Sequence, residues 1–358
     1  MRKESKKLMV EHLCSPLLEA RFSVPDCDAY TLMRPNVEEA FSCAIRAGGH
    51  IAVSAPAGSG KTLLVARVLR EMPNVIWLTL DSSDSLYAVE AYLAEASRRA
   101  TDGGTLVLDC AGCGQKIVDS AWATAELALR CSTTVVVSRF AETRTVNWAI
   151  GKDDLRFSLD DLKRQCGSGY LAETIAELSG GWPLAADYLL RMSNGTALFV
   201  TEDVLAPFSA YCNEEIMSAL SSEDAATLKS LALLPDLNVD FVLEIGNFSS
   251  ENLIRLSQNT PVLRCRPDGG FDLLPLFRQA MRWETLLTES PRTLDFILKA
   301  ARGYSEVGKY DAAAQCALLA KDYDLATTYV LDLVEQETHS SAFGFGSSSE
   351  HARTTAFN

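Results

Sequence analysis

The stretch of sequence that decides the fold is Ser54-Ala55-Pro56-Ala57-Gly58-Ser59-Gly60-Lys61-Thr62. It follows the apolar run 51–53, which predicts a buried strand, and it precedes residues 63–72, whose apolar positions fall on one helical face. A glycine-rich turn between a strand and a helix is the context in which the pattern G-x-x-x-x-G-K-[ST] forms a phosphate-binding loop. The stretch departs from this pattern at Ala55, which stands where the first glycine is expected.

The residue types of this loop suit phosphate chemistry. Gly58 and Gly60 let the backbone curl so that successive N–H groups point at phosphate oxygens, and the helix N-terminus adds a partial positive charge. Lys61 is expected to reach the β- and γ-phosphates, and the Thr62 hydroxyl is expected to bind Mg²⁺. The sequence therefore predicts that residues 55–62 bind ATP or GTP. The alternative is a chance glycine turn before a core helix.

Composition and charge narrow the classes of partner. The chain has 358 residues, 47% of them hydrophobic and 22% charged, which predicts two or three globular domains. A formal net charge of −14 argues against a nucleic-acid-binding surface, which needs clustered Lys and Arg. The basic start at residues 2–7 is not followed by an apolar stretch of signal-peptide length. We therefore expect a cytoplasmic protein without membrane contact.

Ten cysteines are scattered along the chain without the spacing of a disulfide framework. Cys110 and Cys113 form a C-x-x-C pair, for which zinc or redox chemistry is one reading. A zinc site would need a second ligand pair, and the four histidines are not spaced to supply one. The sequence favours reduced thiols, most of them buried.

Apolar runs of strand length alternate with helical patterns through the first half of the chain. This alternation predicts a parallel sheet with helices on both faces. The strands are predicted at 51–53, 74–80, 105–109, 133–139 and 155–159, and the helices at 63–72, 86–99 and 121–130.

Asp109 ends an apolar strand roughly 50 residues after the loop, where P-loop ATPases place their Mg²⁺-coordinating acid. The alternative is an aspartate that caps the turn after the strand. The strand at 74–80 comes between the loop strand and the Asp109 strand, as in P-loop proteins that insert a strand between those two.

Hydrolytic members of this group of P-loop proteins commonly carry an acid directly after the Mg²⁺-coordinating aspartate, and here Cys110 follows Asp109. A neutral thiol is a poor general base, so the sequence favours slow hydrolysis or nucleotide-gated switching.

Beyond residue 160 the pattern is helical. Two short strands at 261–265 and 271–274, after a run of helices, predict a winged helix. The small and aromatic residues after 290 are typical of a tetratricopeptide-like helical hairpin. The predicted domains are a lead-in (1–33), a P-loop NTPase domain (34–160), a helical subdomain (161–204), a winged-helix-like domain (205–289), the hairpin (290–338) and a disordered tail (339–358).

These motifs together resemble the N-terminal portion of the LuxR-type, MalT-like ATP-dependent transcription regulators, which belong to the STAND class of signalling P-loop ATPases. The resemblance covers roughly residues 10–335. It rests on Arg34-Pro35, the loop at 55–62, Leu106-Val107-Leu108-Asp109, Val135-Val136-Val137-Ser138-Arg139, Gly180-Gly181-Trp182-Pro183-Leu184-Ala185, Leu274-Pro275-Leu276-Phe277 and the alanine-rich hairpin after 295.

The resemblance implies roles for three further residues and a set of ligands. Arg139 would contact the γ-phosphate and act with Lys61 and Asp109; the alternative is a surface charge at a strand end. Pro183 would pack near the adenine, unless it only starts a helix. Arg34 would lie close to the nucleotide, unless it is an ordinary solvated arginine. The implied cofactors are ATP or ADP with Mg²⁺.

Two departures from the family bear on function. Cys110 stands where the family usually has a second acid, and Leu274 where it often has a histidine that reads the bound diphosphate. The family's helix-turn-helix is absent from the sequence, so no direct DNA contact is expected from this chain. We therefore expect an ATP-binding regulatory module in which nucleotide exchange frees a surface for self-association, under an inducer or protein partner that the sequence does not identify. The alternatives are an active ATP hydrolase or remodeller and a non-enzymatic scaffold with a vestigial loop.

Overall fold

The computed structural model describes residues 16–26, 32–127, 131–140, 144–193, 195, 197–246, 248–288 and 290–344. The chain forms two compact units. The first comprises Met1–Val200 with Ser257–Pro261, and the second comprises Thr201–Leu256 with Val262–Asn358. Of the predicted lead-in at 1–33, residues 1–15 and 27–31 lie outside the described residues.

The first unit is an α/β domain followed by short helices. Its strands are β1 (Gly49–Ser54), β2 (Val75–Thr79), β3 (Thr105–Asp109), β4 (Thr133–Ser138) and β5 (Trp148–Ile150). Its helices are α1 (Pro16–Arg21), α2 (Pro35–Ala47), α3 (Lys61–Leu69), α4 (Leu86–Arg99), α5 (Gln115–Leu127), α6 (Leu159–Gln165), α7 (Gly169–Ser179) and α8 (Pro183–Met192).

The five strands form one parallel sheet in the order β2-β3-β4-β1-β5, which confirms the predicted parallel sheet. Successive side chains of β3 point to opposite faces, as a strand requires. Leu106 and Leu108 pack with α4 and α5, whereas Val107 packs on the other face with α3. The continuous apolar runs in the sequence thus reflect burial of both sheet faces.

Two strand predictions are wrong in detail. One strand does lie between β1 and β3, as in the predicted group of P-loop proteins, but this strand is β4, and the strand predicted at 74–80 forms the edge of the sheet. The fifth strand is Trp148–Ile150 and not residues 155–159. Ser158 starts α6 instead, because its hydroxyl accepts from the Asp161 N–H at 3.1 Å while the Asp161 carboxylate accepts from the Ser158 N–H at 3.0 Å. This reciprocal cap favours a helix start over a strand end.

The second unit is helical apart from one hairpin. It contains α9 (Glu202–Tyr211), a π-turn at Cys212–Ile216, a 3₁₀ turn at Met217–Ala219, α10 (Ser222–Leu233), α11 (Val239–Gly246), α12 (Ser250–Asn259), β6 (Leu263–Cys265), β7 (Phe271–Leu273), α13 (Pro275–Thr288), α14 (Pro291–Glu306), α15 (Tyr310–Leu319) and α16 (Tyr323–Gly344). Strands β6 and β7 pair antiparallel, which confirms the predicted hairpin. Helices followed by this hairpin give the element order of a winged helix.

Small residues pack the last helices together, as the tetratricopeptide-like pattern predicts. Ala300, Ala301, Ala313 and Ala317 are all fully buried. Helix α16 continues to Gly344 and therefore passes residue 339, where the sequence predicts a disordered tail. Residues 345–358 of that predicted tail lie outside the described residues. Within the described part of the chain, every helix is too short or too polar to cross a bilayer.

Candidate functional site

The loop between β1 and α3 has the conformation that its glycines predict. Gly58 and Gly60 both adopt positive φ, at 71° and 73°. A Cβ on Gly58 would lie 2.7 Å from Trp182 Cζ2, and the Leu184 N–H donates to the Gly58 carbonyl at 3.1 Å. The start of α8 therefore packs directly against the loop.

Ala55, the departure from the loop pattern, is a core residue. Its methyl group is buried in the cluster that joins the sheet to α2 and α3, and its N–H donates to the Ser138 carbonyl at 3.2 Å. The sheet accommodates a methyl group at this position. The pattern's first glycine is therefore not needed here, and Pro56, Ala57 and Ser59 continue the loop as predicted.

Lys61 is the first residue of α3, and its side chain is buried. Its Nζ donates to the Pro56 carbonyl at 2.9 Å, across the loop. Burial lowers the pKa of the Lys61 ammonium to about 8, while the negative charge of Asp109 opposes this shift. A dry ammonium group at a helix N-terminus is a strong site for an anion.

Thr62 and Asp109 lie together, as the two predicted Mg²⁺ ligands should. The Thr62 hydroxyl donates to Asp109 Oδ2 at 3.0 Å. Asp109 Oδ1 accepts the Ala111 N–H at 3.1 Å, so the carboxylate also caps the turn after β3. Burial raises the pKa of the Asp109 carboxyl, and the hydrogen bonds from Ala111 and Thr62 oppose this shift. A hydroxyl and a carboxylate side by side are the oxygen ligands that Mg²⁺ takes.

Arg139 follows β4 at the same edge of the sheet. Its Nε donates to the Ala111 carbonyl at 2.6 Å, so the turn after β3 contacts both Asp109 and Arg139. Burial lowers the pKa of Lys61 and the charge of Asp109 raises it; the positive charge of Arg139 has a smaller effect, which lowers it. The three residues predicted as catalytic therefore lie close together in the structure.

Cys110 does not offer a general base. The thiol is fully buried and packs with Val118 and Trp122 on the α4–α5 face of the sheet, opposite the face covered by α3. A hydrogen bond with Cys113, and then burial, raises the pKa of the Cys110 thiol well above its usual range. The position that follows Asp109 is therefore neutral and lies in the core.

Arg34 is buried, so the alternative of a solvated arginine is wrong. Its guanidinium donates to the carbonyls of Ser59 (3.3 Å), Gly60 (3.2 Å) and Leu155 (2.5 Å). It also lies over the Phe157 ring at 5.3 Å. Burial lowers the pKa of Arg34 to about 10. Arg34 thus binds the carbonyl oxygens of the loop and leaves the N–H groups of the loop free of this contact.

A cavity of about 360 Å³ opens beside the loop. Its size lies within the range of small-ligand pockets. Pro183 lines it, as does Arg34, and both were predicted site residues. The sequence missed Leu63, Leu184, Asp187 and Arg191, which also line it. Leu63 directly follows Thr62, and the other three residues lie within about two helical turns of Pro183. The spacing of four residues from Pro183 is the one sequence signal that points to Asp187.

Comparison with known proteins gives fold-level likenesses only. No protein-family model and no curated protein matches the chain. A Signal Transduction ATPase with Numerous Domains (STAND) with a tetratricopeptide repeat sensor, from Pyrococcus horikoshii, matches at 12% identity and a TM-score of 0.38, over 90% of this chain and 56% of that one. A Walker-type ATPase of Pyrococcus abyssi matches at 13% identity and a TM-score of 0.46, over 70% of this chain and 96% of that one. A RuvB variant of Thermotoga maritima matches at 16% identity and a TM-score of 0.36, over 73% of this chain and 96% of that one.

The chain thus spans little more than half of the Pyrococcus horikoshii protein. Because these scores are below 0.5, the fold is assigned from the strand order and the loop. The parallel five-stranded sheet, the loop between β1 and α3 and the carboxylate at the end of β3 give this chain a P-loop NTPase fold.

Replacing Gly58 by alanine tests the geometry of the loop. A Cβ there meets Trp182 and the backbone has positive φ, so we expect Gly58→Ala to lower the free energy of unfolding by about 1–3 kcal/mol. Gly112→Ala is the matched control, because a Cβ there has no heavy atom within 4 Å. It should change stability by less than about 0.5 kcal/mol in chemical denaturation. Equal stability of the two variants would contradict the described loop.

Proposed function

We propose that this chain is the ATP-binding regulatory module of a LuxR-type, MalT-like signalling ATPase, in which the bound nucleotide sets a conformational state and hydrolysis is slow. One observation carries the proposal. The loop holds a buried Lys61 next to a Thr62–Asp109 pair 3.0 Å apart, while the neighbouring position is the buried, neutral Cys110. The groups that would bind phosphate and Mg²⁺ are thus present, whereas Cys110, next to Asp109, is not a general base.

The binding role of each residue follows from its chemistry. Lys61 and the N–H groups at the start of α3 would neutralise the β- and γ-phosphates. Thr62 and Asp109 would hold Mg²⁺, which supplies positive charge against the phosphate oxygens when bound. The Lys61 ammonium would exchange the Pro56 carbonyl for a phosphate oxygen, a stronger, charge-assisted partner.

Slow hydrolysis is expected because Cys110, next to Asp109, is not a general base. Water attack on a phosphoryl group needs a residue that orients or deprotonates the water. Burial raises the pKa of Asp109, but its two oxygens contact Thr62 and Ala111 and would be engaged with Mg²⁺. The raised pKa of Cys110 keeps that thiol protonated and unsuited to accept a proton.

A switch requires that ATP and ADP bind the two states with different affinity. Arg139 is the proposed sensor, because its guanidinium lies on the turn that also positions Asp109. Exchange of the Ala111 carbonyl for a γ-phosphate would couple the nucleotide to that turn. The proposed output is self-association, under an inducer or protein partner whose chemistry the site does not reveal. No direct DNA contact is proposed for this chain.

We place the module in the cytoplasm. The cysteines of the described part of the chain are free thiols, which suits a reducing compartment. A nucleotide site also suits the compartment where ATP is held.

The second candidate is a scaffold with a vestigial loop. Ala55 and Cys110 favour it, because both depart from catalytic patterns. The buried Ala55 weakens this support, since its methyl group belongs to the core and leaves the loop glycines in place. Binding measurements separate the two candidates directly.

Lys61→Ala should abolish nucleotide binding. Removal of the ammonium takes away a charge-assisted bond to phosphate, so we expect the dissociation constants for ATP and ADP to rise at least about a hundredfold in calorimetric titration. Lys116→Ala is the control, because Lys116 is an exposed lysine of α5. Unchanged affinity in Lys61→Ala would refute the proposed site. A wild-type chain that binds no nucleotide would favour the scaffold over the switch.

Affinity should also depend on pH. The pKa of Lys61 is lowered to about 8, so the free site loses its ammonium charge as the pH rises through that value. Phosphate binding favours the ammonium, so binding above that pH requires proton uptake, and the dissociation constant for ADP should rise by up to about tenfold per pH unit. Titrations between about pH 6.5 and 9.5 measure this change. A flat profile across that range would show that Lys61 keeps an ordinary pKa.

A further inference from the structure

Phe157, Pro183 and Leu184 line the cavity beside the loop, the last two from the start of α8. Two contacts set how far the start of α8 stands from the loop. The Leu184 N–H donates to the Gly58 carbonyl at 3.1 Å, and the buried Trp182 packs on Gly58. The width of the cavity therefore depends on what holds the first residues of α8 in place.

The turn between α7 and α8 consists of two glycines with positive φ, Gly180 at 51° and Gly181 at 76°. It contacts the backbone of Phe157, whose N–H donates to the Gly181 carbonyl at 2.8 Å. A Cβ on Gly181 would lie 2.4 Å from the Phe157 carbonyl oxygen, so only glycine fits this close approach. The two parts of the cavity lining, Phe157 and the start of α8, are therefore joined at this turn.

Arg156 holds the same turn through its side chain. Its Nη1 donates to the Gly180 carbonyl at 2.9 Å, and its Nη2 donates to the Pro261 carbonyl at 3.1 Å. The side chain is only 13% exposed, and hydrogen bonds from a charged donor are strong where water is largely excluded. Arg156 is not among the described residues that line the cavity. It can therefore act on a bound ligand only through the residues that it holds.

We propose that Arg156 is a positioning residue for the base of the nucleotide, because it fixes the turn at Gly180 and Gly181 and thereby keeps Pro183 and Leu184 at the base. The inference rests on the proposed nucleotide site and adds a residue to it. A cavity of about 360 Å³ with apolar residues beside a phosphate-binding loop suits a planar base. Loss of the guanidinium would free the turn, and with it the start of α8, to move away from the base.

The phosphates would be bound by other residues. In the proposed site, Lys61 takes the phosphates, and Thr62 with Asp109 takes Mg²⁺; these residues belong to the start of α3 and the end of β3. Inorganic pyrophosphate would use this half of the site alone. ADP carries the same two phosphates and adds adenosine, so the ratio of the two affinities measures the contribution of the cavity lining.

The test is calorimetric titration of the full chain with ADP and with inorganic pyrophosphate, both with Mg²⁺. In Arg156→Ala we expect the dissociation constant for ADP to rise about tenfold, and that for pyrophosphate to stay within about threefold of the wild type. Arg156→Lys keeps the charge and can donate to one of the two carbonyls, so it should weaken ADP binding by only about threefold. Gly181→Ala disturbs the same turn from the side of Phe157 and should show the same selective loss.

Each variant has a matched control. Arg98→Ala removes an exposed arginine of α4 that pairs with Glu95, and Gly112→Ala adds a Cβ that has no heavy atom within 4 Å. Both should keep the wild-type affinity for ADP and for pyrophosphate. Circular dichroism shows which variants fold, and if Arg156→Ala does not, Arg156→Lys and Gly181→Ala carry the same comparison.

Four results would overturn the inference. An equal loss for ADP and pyrophosphate in folded Arg156→Ala would give this residue a general role in stability, and unchanged ADP affinity would give it no role at the site. A wild-type chain that binds pyrophosphate as tightly as ADP would remove the contact with the base and leave the phosphate site in place. A wild-type chain that binds neither ligand would overturn the proposed function as well.

Discussion

The site depends on one constraint, the parallel pairing of β4 between β1 and β3. Ser54 pairs with Ser138, and Asp109 pairs with Val137, so three strands end at the same edge of the sheet. The residues that follow or end these strands are the loop, Asp109 and Arg139. Ligands of open α/β sheets bind at the carboxyl ends of the strands for this reason. Residues far apart in sequence meet without any long loop.

The electrostatics of the site follow from the burial that this pairing imposes. Lys61 and Asp109 are both buried, and burial shifts each pKa toward the neutral form. Each charge partly offsets the shift of the other, while Lys61 donates to the Pro56 carbonyl and Asp109 accepts from Thr62 and Ala111. An incoming polyphosphate with its Mg²⁺ would give each group an oppositely charged partner. A site of this kind stabilises the bound state more than the free one.

The sequence predicts the local parts of this arrangement well. The loop, the strand before it and Asp109 each carry their own signal within a few residues, namely glycine spacing, apolar runs and a strand-end carboxylate. The order of the strands carries no such local signal, and the interpretation therefore placed 74–80 where β4 belongs. The contacts of Arg34 and the position of Asp187 in the cavity wall depend on packing of Leu155 and α8 against the loop, which lies about a hundred residues earlier in the sequence. Hydrophobic periodicity does not encode such pairings.

The proposed function is a nucleotide-binding switch in which position 110, next to Asp109, offers no general base. Its most direct test is the rate at which phosphate is released from ATP bound to the wild-type chain in a single turnover with Mg²⁺. For such a switch we expect a rate far below about 1 s⁻¹, the low end of ordinary enzymatic turnover, with ATP still tightly bound. Release at about 1 s⁻¹ or faster would contradict it, because a residue other than Cys110 would then have to supply the base.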